Sequence, residues 1–304
     1  MRHVSLVILV LVGSLGGRAV AAPFEPATVP DQVDAVGHLD ADALRKTQLF
    51  AGVGGQGAID AAFEQAPPDF RPLARSLSRT VRGISFWKDG DHGAMYVATR
   101  DSKALGQLIA KLPVKPAAAV DGFPTYTVDH GDKDGYCAAF GDTLVLADSA
   151  ESLARSIHVL GGKAPSLAGS SKLPAAARRG VFVFVTLSES ALGAIQQSAH
   201  SKVLQLGLRT LVVDISETAG VVNASARAEM RSADALQKAK SIVEGLRAVA
   251  SLSDSAPAAQ KLLDAVTVSA NGLTLEVAGK LSATELAAMI QLAGEHHHGH
   301  HNDK

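Results

Sequence analysis

The stretch SAESLARSIHVLG at residues 149–161 returns as SATELAAMIQLAG at residues 282–294, with six identical positions of thirteen. Two shorter matches lie upstream at nearly the same spacing: RT at 79–80 returns at 209–210, and R-x3-AL at 100–105 returns at 231–236. The three offsets are 133, 130 and 131 residues. Self-similarity at one nearly fixed spacing is typical of a duplicated structural unit. The sequence therefore predicts an internal duplication, which describes architecture and names no reaction.

The clearest predicted strand runs from Val221 to Met230. Its even-numbered residues are apolar or small, whereas residues 223, 225, 227 and 229 are polar. Alternation with a period of two indicates an antiparallel sheet with one packed face and one wet face. Residues 211–217 precede this strand across a short turn, which predicts a hairpin. Ser232 can then cap a helix whose apolar positions follow helical spacing as far as Val249.

Both halves of the chain show the same order of predicted elements. The first half has strands at 33–39, 81–88, 95–100, 136–140 and 143–147 and helices at 41–50, 101–112 and 149–160. The second half has strands at 181–187, 211–217, 221–230, 266–270 and 273–278 and helices at 189–206, 232–249 and 283–292, with Asn271-Gly272 as a hairpin turn. The predicted fold class is α+β, as two tandem repeats of β-α-β-β-α-β-β-α with antiparallel sheets covered by helices on one face.

Five segments follow from this order. They are a signal peptide at 1–21, a first α+β repeat at 22–160, a linker at 161–179 rich in small residues, a second α+β repeat at 180–294, and a disordered His-rich tail at 295–304. In this general layout, from about Val33 to Leu292, the chain resembles exported bacterial proteins of unknown function built as duplicated α+β modules. The resemblance implies export and a duplicated fold, and it implies no activity.

The first 21 residues predict export. Arg2 precedes a short apolar run from Val4 to Val12, and small residues lead to a cleavage site after Ala21. The run is too short to span a bilayer, so no transmembrane segment is predicted in the mature chain. The expected location is periplasmic or extracellular. The net charge of −1 with no basic block argues against a nucleic-acid partner.

Two glycine or serine patterns match catalytic or cofactor motifs only in part. Residues 52–57 read G-x-G-x-x-G, but the preceding segment has helical spacing, so a loop is favoured over a nucleotide site. Ser85 and Lys88 form S-x-x-K on a predicted strand, where positions three apart face opposite sides. No catalytic or cofactor-binding residue is therefore assigned.

The remaining candidates are a thiol, a loop and isolated histidines. Cys137 is the only cysteine, and it lies on a predicted strand as a small apolar residue. Residues 130–135 are similar to a calcium loop but lack both anchoring carboxylates, which favours a polar turn. His38, His92 and His200 stand alone in the sequence, and each is expected at the surface or in a satisfied structural position.

The C-terminal tail is the one predicted metal-binding segment. Its five imidazoles belong to His296, His297, His298, His300 and His301. Neutral imidazole suits zinc, nickel or copper, and a run of imidazoles raises the local ligand concentration without fixing a geometry.

The leading functional hypothesis is a non-catalytic exported protein, periplasmic or secreted, that binds a small ligand or protein partner of unknown identity at a sheet face or groove. It follows from the duplication and from the failure of each catalytic motif in its context. The first alternative is transition-metal handling in the envelope through the His-rich tail. The second is a hydrolase with an unrecognised site, for which Ser85, Cys137, His92 and His130 are the candidates.

Overall fold

The computed structural model describes residues 23–63, 71–111, 114–129, 134–169, 181–193, 207–251, 261 and 264–298. The fold is of the mixed α+β class, with antiparallel strands and helices. It divides into two units. The first unit holds Met1–Arg45 and Gly55–Arg179, and the second holds Lys46–Gly54 and Gly180–Lys304. No helix in the described part of the chain is both long enough and apolar enough to cross a bilayer.

The first unit is built on a seven-stranded antiparallel sheet. In chain order its strands are β1 (Ala35–Asp40), β2 (Val81–Asp89), β3 (His92–Thr99), β4 (Val114–Val120), β5 (Phe123–Asp129), β6 (Asp134–Phe140) and β7 (Thr143–Ala147). Their order across the sheet is β1-β2-β3-β7-β6-β5-β4. The β4-β5 hairpin was missed in the sequence, because Pro116 and a run of alanines give β4 little strand signal.

Five α-helices in the described part of this unit accompany the sheet. They are α1 (Ala41–Leu44), α3 (Gly55–Phe63), α4 (Arg71–Thr80), α5 (Ser102–Lys111) and α6 (Ala150–Leu160). The predicted caps of the last two are confirmed, since Lys103 N donates to Asp101 Oδ1 at 2.9 Å and Ser152 N donates to Ser149 Oγ at 3.1 Å. The described part of the predicted linker, 161–169, belongs to this unit, where Leu167 N donates to Val29 O at 2.8 Å.

Both faces of the first sheet carry buried side chains. Tyr96 and Val97 are neighbours on opposite faces of β3, and both are buried. The same is true of Leu144 and Val145 in β7. The physical reason is the continuous apolar run in β7, which is typical of a strand buried on both sides.

The second unit has a five-stranded antiparallel sheet. Its strands are β8 (Val181–Ser188), β9 (Leu208–Thr218), β10 (Val221–Met230), β11 (Val266–Asn271) and β12 (Thr274–Ser282), in the order β8-β9-β10-β12-β11. Helix α7 (Ala233–Ser251) packs on the face that carries Met230 and Leu275. This confirms the apolar face predicted from the alternation in β10.

A short segment from early in the chain completes the second unit. Helix α2 (Gln48–Gly52) contacts α8 (Ala283–His298), and it lies within Lys46–Gly54, a segment of the second unit whose neighbours in the chain on both sides belong to the first unit. The sequence predicts one helix over 41–50, but Thr47 begins a new one because its side chain accepts a hydrogen bond from Phe50 N. We call residues 46–54 the strap.

Side chains of the second unit hold the strap at both ends. Glu217 accepts hydrogen bonds from Gln48 N at 2.7 Å and Leu49 N at 3.0 Å, which satisfies the first amides of α2. Gln291 Nε2 donates to Gly52 O at 2.8 Å. A Cβ at Gly52 would lie 2.6 Å from the Ala287 Cβ, so glycine is required at this close approach.

Candidate functional site

A row of polar side chains lies on the face of the second sheet opposite α7. Asp214 in β9 pairs with Ser225 in β10, and Arg227 in β10 pairs with Glu276 in β12. Directly opposed residues share a face, as do residues two apart on one strand, so all four side chains lie on one side of the sheet. We call these four residues the polar face.

Three members of the polar face hold one another in place. Asp214 Oδ2 accepts hydrogen bonds from Ser225 Oγ at 2.7 Å and from Arg227 Nη2 at 2.9 Å. The Asp214 side chain is 14% exposed and the Arg227 side chain 28% exposed. The ion pair is therefore partly shielded from solvent, which strengthens it relative to a fully exposed pair.

Two groups of the polar face lack partners among the described residues. Arg227 Nε is buried and has no hydrogen-bond acceptor there. Glu276, although it lies opposite Arg227, forms no hydrogen bond or ion pair with another described residue. An unpaired carboxylate next to an ordered ion pair can accept hydrogen bonds from a cationic group. This is the chemistry that the polar face offers.

The alternation in β10 predicted part of this site. It placed Ser225 and Arg227 on the wet face of a strand, but it could not supply Asp214 or Glu276. Those residues join the site through the register of β9 and β12, and a register between distant strands leaves no local signal in the sequence.

The first unit contains a second cluster of charges, centred on the fully buried side chain of Asp42. Arg45 Nη1 donates to Asp42 Oδ1 at 2.6 Å, Arg100 Nη2 also contacts Oδ1, and Arg82 Nε lies 3.7 Å from Oδ2. Arg45 also donates to the carbonyl oxygens of Ser78 and Val81. Burial lowers the pKa of Arg45 to about 10. These bonds join α1 to the end of α4 and the start of β2, which is a structural role.

Ser85, a hydrolase candidate from the sequence, has a histidine partner that the sequence did not reveal. His38 Nδ1 and Ser85 Oγ lie 2.8 Å apart across the β1-β2 pair. His38 is buried, and the ring of Phe24 packs on it with centroids 5.7 Å apart. Lys88 of the S-x-x-K match lies on the opposite face of β2, as predicted, and does not join this pair.

The other sequence candidates do not gather around Ser85. Cys137 is buried in β6, and burial raises the pKa of its thiol to about 11, far above the value that a nucleophilic thiol needs near neutral pH. His92 is exposed, with Nδ1 3.4 Å from Ser149 Oγ and Nε2 4.0 Å from Glu151. His130 and His200 lie outside the described residues.

The described part of the chain contains only part of the predicted metal-binding segment. Helix α8 runs through His298, four residues past the predicted repeat boundary, while His300 and His301 lie outside the described residues. Among the side chains that the structure describes, which end at residue 291, no group of three or more His, Cys, Asp and Glu could hold a metal ion. The G-x-G-x-x-G match spans the last residue of α2 and the first turn of α3, so the loop favoured from the sequence is limited to residues 53 and 54; Gly54 and Gly55 both have positive φ.

Comparison with known proteins shows a likeness of fold alone. No protein-family model matches the chain, and no curated protein matches it. Crystal form III of TP0453 matches with a TM-score of 0.54 at 8% sequence identity, covering 90% of this chain and 100% of that chain. Crystal form IV of TP0453 gives a TM-score of 0.51 at 9% identity, with coverage of 89% and 97%.

Proposed function

We propose that the protein is a non-catalytic, exported binding protein, and that the polar face of the second unit binds a partner segment carrying a positive charge. The observation that carries this proposal is the carboxylate of Glu276, which has no partner among the described residues, beside the ordered Asp214–Arg227 pair. The three fixed side chains would position a ligand, and Glu276 would neutralise its charge.

The binding experiment uses defined probes. Amide shifts of the full-length protein are followed during titration with trilysine, with N-acetylglucosamine as a neutral probe. We expect trilysine to shift the amides of Ser225, Arg227 and Glu276, and Glu276→Gln to weaken binding at least about tenfold. Glu229→Gln is the matched control, because Glu229 is already paired with Arg209. Equal binding by both variants, or no shift with trilysine, would overturn the proposal.

We also propose that the two units arose by duplication. Their sheets support it: the order β1-β2-β3-β7-β6 in the first unit corresponds to β8-β9-β10-β12-β11 in the second. The β4-β5 hairpin is then an insertion in the first copy. The serine caps of the repeated stretch also match, since Ser149 Oγ accepts from Ser152 N and Ser282 Oγ accepts from Glu285 N.

Export is proposed from the N-terminal pattern of a charged residue, an apolar run and a small-residue cleavage site. The mature protein would then begin at Ala22 and reside in the periplasm or outside the cell. N-terminal sequencing of protein recovered from the periplasmic and secreted fractions tests this. A chain still beginning at Met1 in the cytoplasm would contradict it.

A hydrolase is the second candidate, and the Ser85–His38 pair favours it. With its proton on Nε2, His38 could accept the Ser85 proton at Nδ1 while Oγ attacks an electrophile. A fluorophosphonate probe tests this: the Ser85 oxygen would bond to phosphorus, fluoride would leave, and Ser85→Ala would abolish labelling. Ser149→Ala is the control. Labelling that survives Ser85→Ala, or none in the wild type, would remove this candidate.

Metal handling by the tail is the third candidate, supported by the five histidines at 296–301. Calorimetric titration with zinc, nickel and copper would compare the full-length chain with one carrying alanine at those five positions. Equal affinities would remove the role of the tail.

A further inference from the structure

Strand β11 ends the strand order of the second unit. It pairs with β12 on one side, and no described strand pairs with its other side. An edge strand of this kind presents backbone N–H and C=O groups that can pair with another chain.

The hairpin geometry shows which groups of β11 point outward. Asn271 pairs with Thr274 across a two-residue turn, and Lys280 N donates to Ala265 O at 3.3 Å at the other end. Inward-bonded and outward-facing residues alternate along an antiparallel strand. The backbone groups of Val266, Val268 and Ala270 therefore point away from β12.

The outer edge strand of the first unit carries features that oppose pairing, and β11 carries none of them in its described residues. Strand β4 carries Lys115 and Pro116 and has a register shift between Ala117 and Val120. A charge, a proline and an irregular register each oppose edge-to-edge pairing. Strand β11 reads VTVSAN, with no charge, no proline and no break in its register. Its composition favours strand pairing.

We propose that β11 is a homodimer interface, in which it pairs antiparallel with β11 of a second copy about a two-fold axis at Val268. Three pairs would each exchange both backbone hydrogen bonds: Val268 with its own counterpart, and Val266 with Ala270 twice. Pairing about this axis keeps Val266, Val268 and Ala270 on one face, and Thr267 and Ser269 on the other. The strand is thus complementary to itself, as a two-fold interface requires, and it brings no like charges together.

Sedimentation equilibrium of the full-length protein tests the dimer. We expect the wild type to dimerise, and Ala270→Pro to raise the dissociation constant at least about tenfold, because it removes an outward amide without breaking the β11-β12 ladder. Ser269→Lys is a second variant, which places two like charges close to the axis. Ala119→Lys on the exposed surface of β4 is the matched control and should dimerise like the wild type.

Hydrogen exchange gives a readout independent of any substitution. Exchange at the amides of Val266, Val268 and Ala270 should slow as protein concentration rises, whereas Thr267 and Ser269 are already bonded to β12 and should not respond. A wild type that stays monomeric at its highest soluble concentration would overturn the proposal. So would a dimer that both β11 variants leave intact, or a dimer in which the three amides exchange at the monomer rate.

Discussion

Tyr96 in β3 and Arg227 in β10 occupy the third strand of their respective sheets, but they meet different surroundings. Tyr96 is 4% exposed, its hydroxyl accepts a hydrogen bond from Trp87 Nε1 at 2.8 Å, and burial raises its pKa to about 12. Arg227 is half-buried and bonded to Asp214. The main contacts of α6 are with β3, β6 and β7, whereas those of α8 are with α2 and β12. The position at which the last helix of each unit packs therefore determines whether this face of the sheet is buried, as around Tyr96, or partly exposed, as around Arg227.

The largest loss of stability is expected in the buried face of the first sheet, around Tyr96. Trp87→Ala should lower the free energy of unfolding by about 4 kcal/mol, since Trp87 is buried, donates to Tyr96 and lies 5.0 Å beneath the Arg155 guanidinium. Urea unfolding measures this. Phe86→Ala, at an exposed neighbour on the same strand, is the control and should cost less than half as much. Equal losses would mean that α6 does not make this face a core.

Asp42→Ala should be nearly as damaging, at about 3 kcal/mol, because it leaves the buried guanidinium of Arg45 without its carboxylate. Asp214→Ala removes the carboxylate of the polar face, and there we expect about 1 kcal/mol, because solvent screens that pair. Chemical denaturation of the two variants side by side tests the contrast. A greater loss in Asp214→Ala than in Asp42→Ala would contradict the conclusion that the Asp42 cluster stabilises the fold more than the polar face does.

Alkaline pH should weaken the folded state through Cys137. Burial raises its thiol pKa from 9.0 to about 11, so the unfolded chain releases this proton at a lower pH than the folded protein does. The stabilisation is complete below about pH 9 and is lost as the pH rises through 11, by about 2 kcal/mol. Unfolding measured across this window should show the loss in the wild type. Cys137→Ala should reduce the loss between pH 9 and 10, below the range in which the buried Tyr96 also begins to contribute, and an unchanged slope in that range would contradict the assignment.

The expected effect at the strap is as small as that of Asp214→Ala. Glu217→Gln should cost about 1 kcal/mol, because the single amide oxygen of glutamine can keep only one of the two hydrogen bonds from α2 and the negative charge at the helix start is lost. Hydrogen exchange should locate the loss at the amides of Gln48 and Leu49. Glu229→Gln should leave those amides unchanged. Uniformly faster exchange throughout the second unit would mean that Glu217 supports more than α2.

The sequence carried most of the local structure because local structure depends on residues close in the chain. The caps at Ser149, Ser232 and Ser282 were predicted, and the structure contains them. The hairpin turn was predicted at Asn271-Gly272, but it lies one residue later, at Gly272-Leu273, between the paired residues Asn271 and Thr274. The positive φ of Gly272 shows why a glycine stands in that turn.

Long-range structure was beyond the sequence. The pairing of His38 with Ser85 depends on the register between β1 and β2, across 47 residues, and Glu217 lies 169 residues from the amide that it binds. The polar face was half predicted for the same reason, since alternation marks a wet side but cannot tell which strands stand next to it.

The strap has a consequence for how the gene can be divided. Because Lys46–Gly54 belongs with the residues after Gly180, no single cut yields two contiguous fragments that each contain one whole unit. A C-terminal fragment would leave vacant the place against Ala287 that Gly52 fills, and the carboxylate of Glu217 would face water. Because α2 packs against residues close to the C-terminus, it can reach its native contacts only after nearly the whole chain has been synthesised.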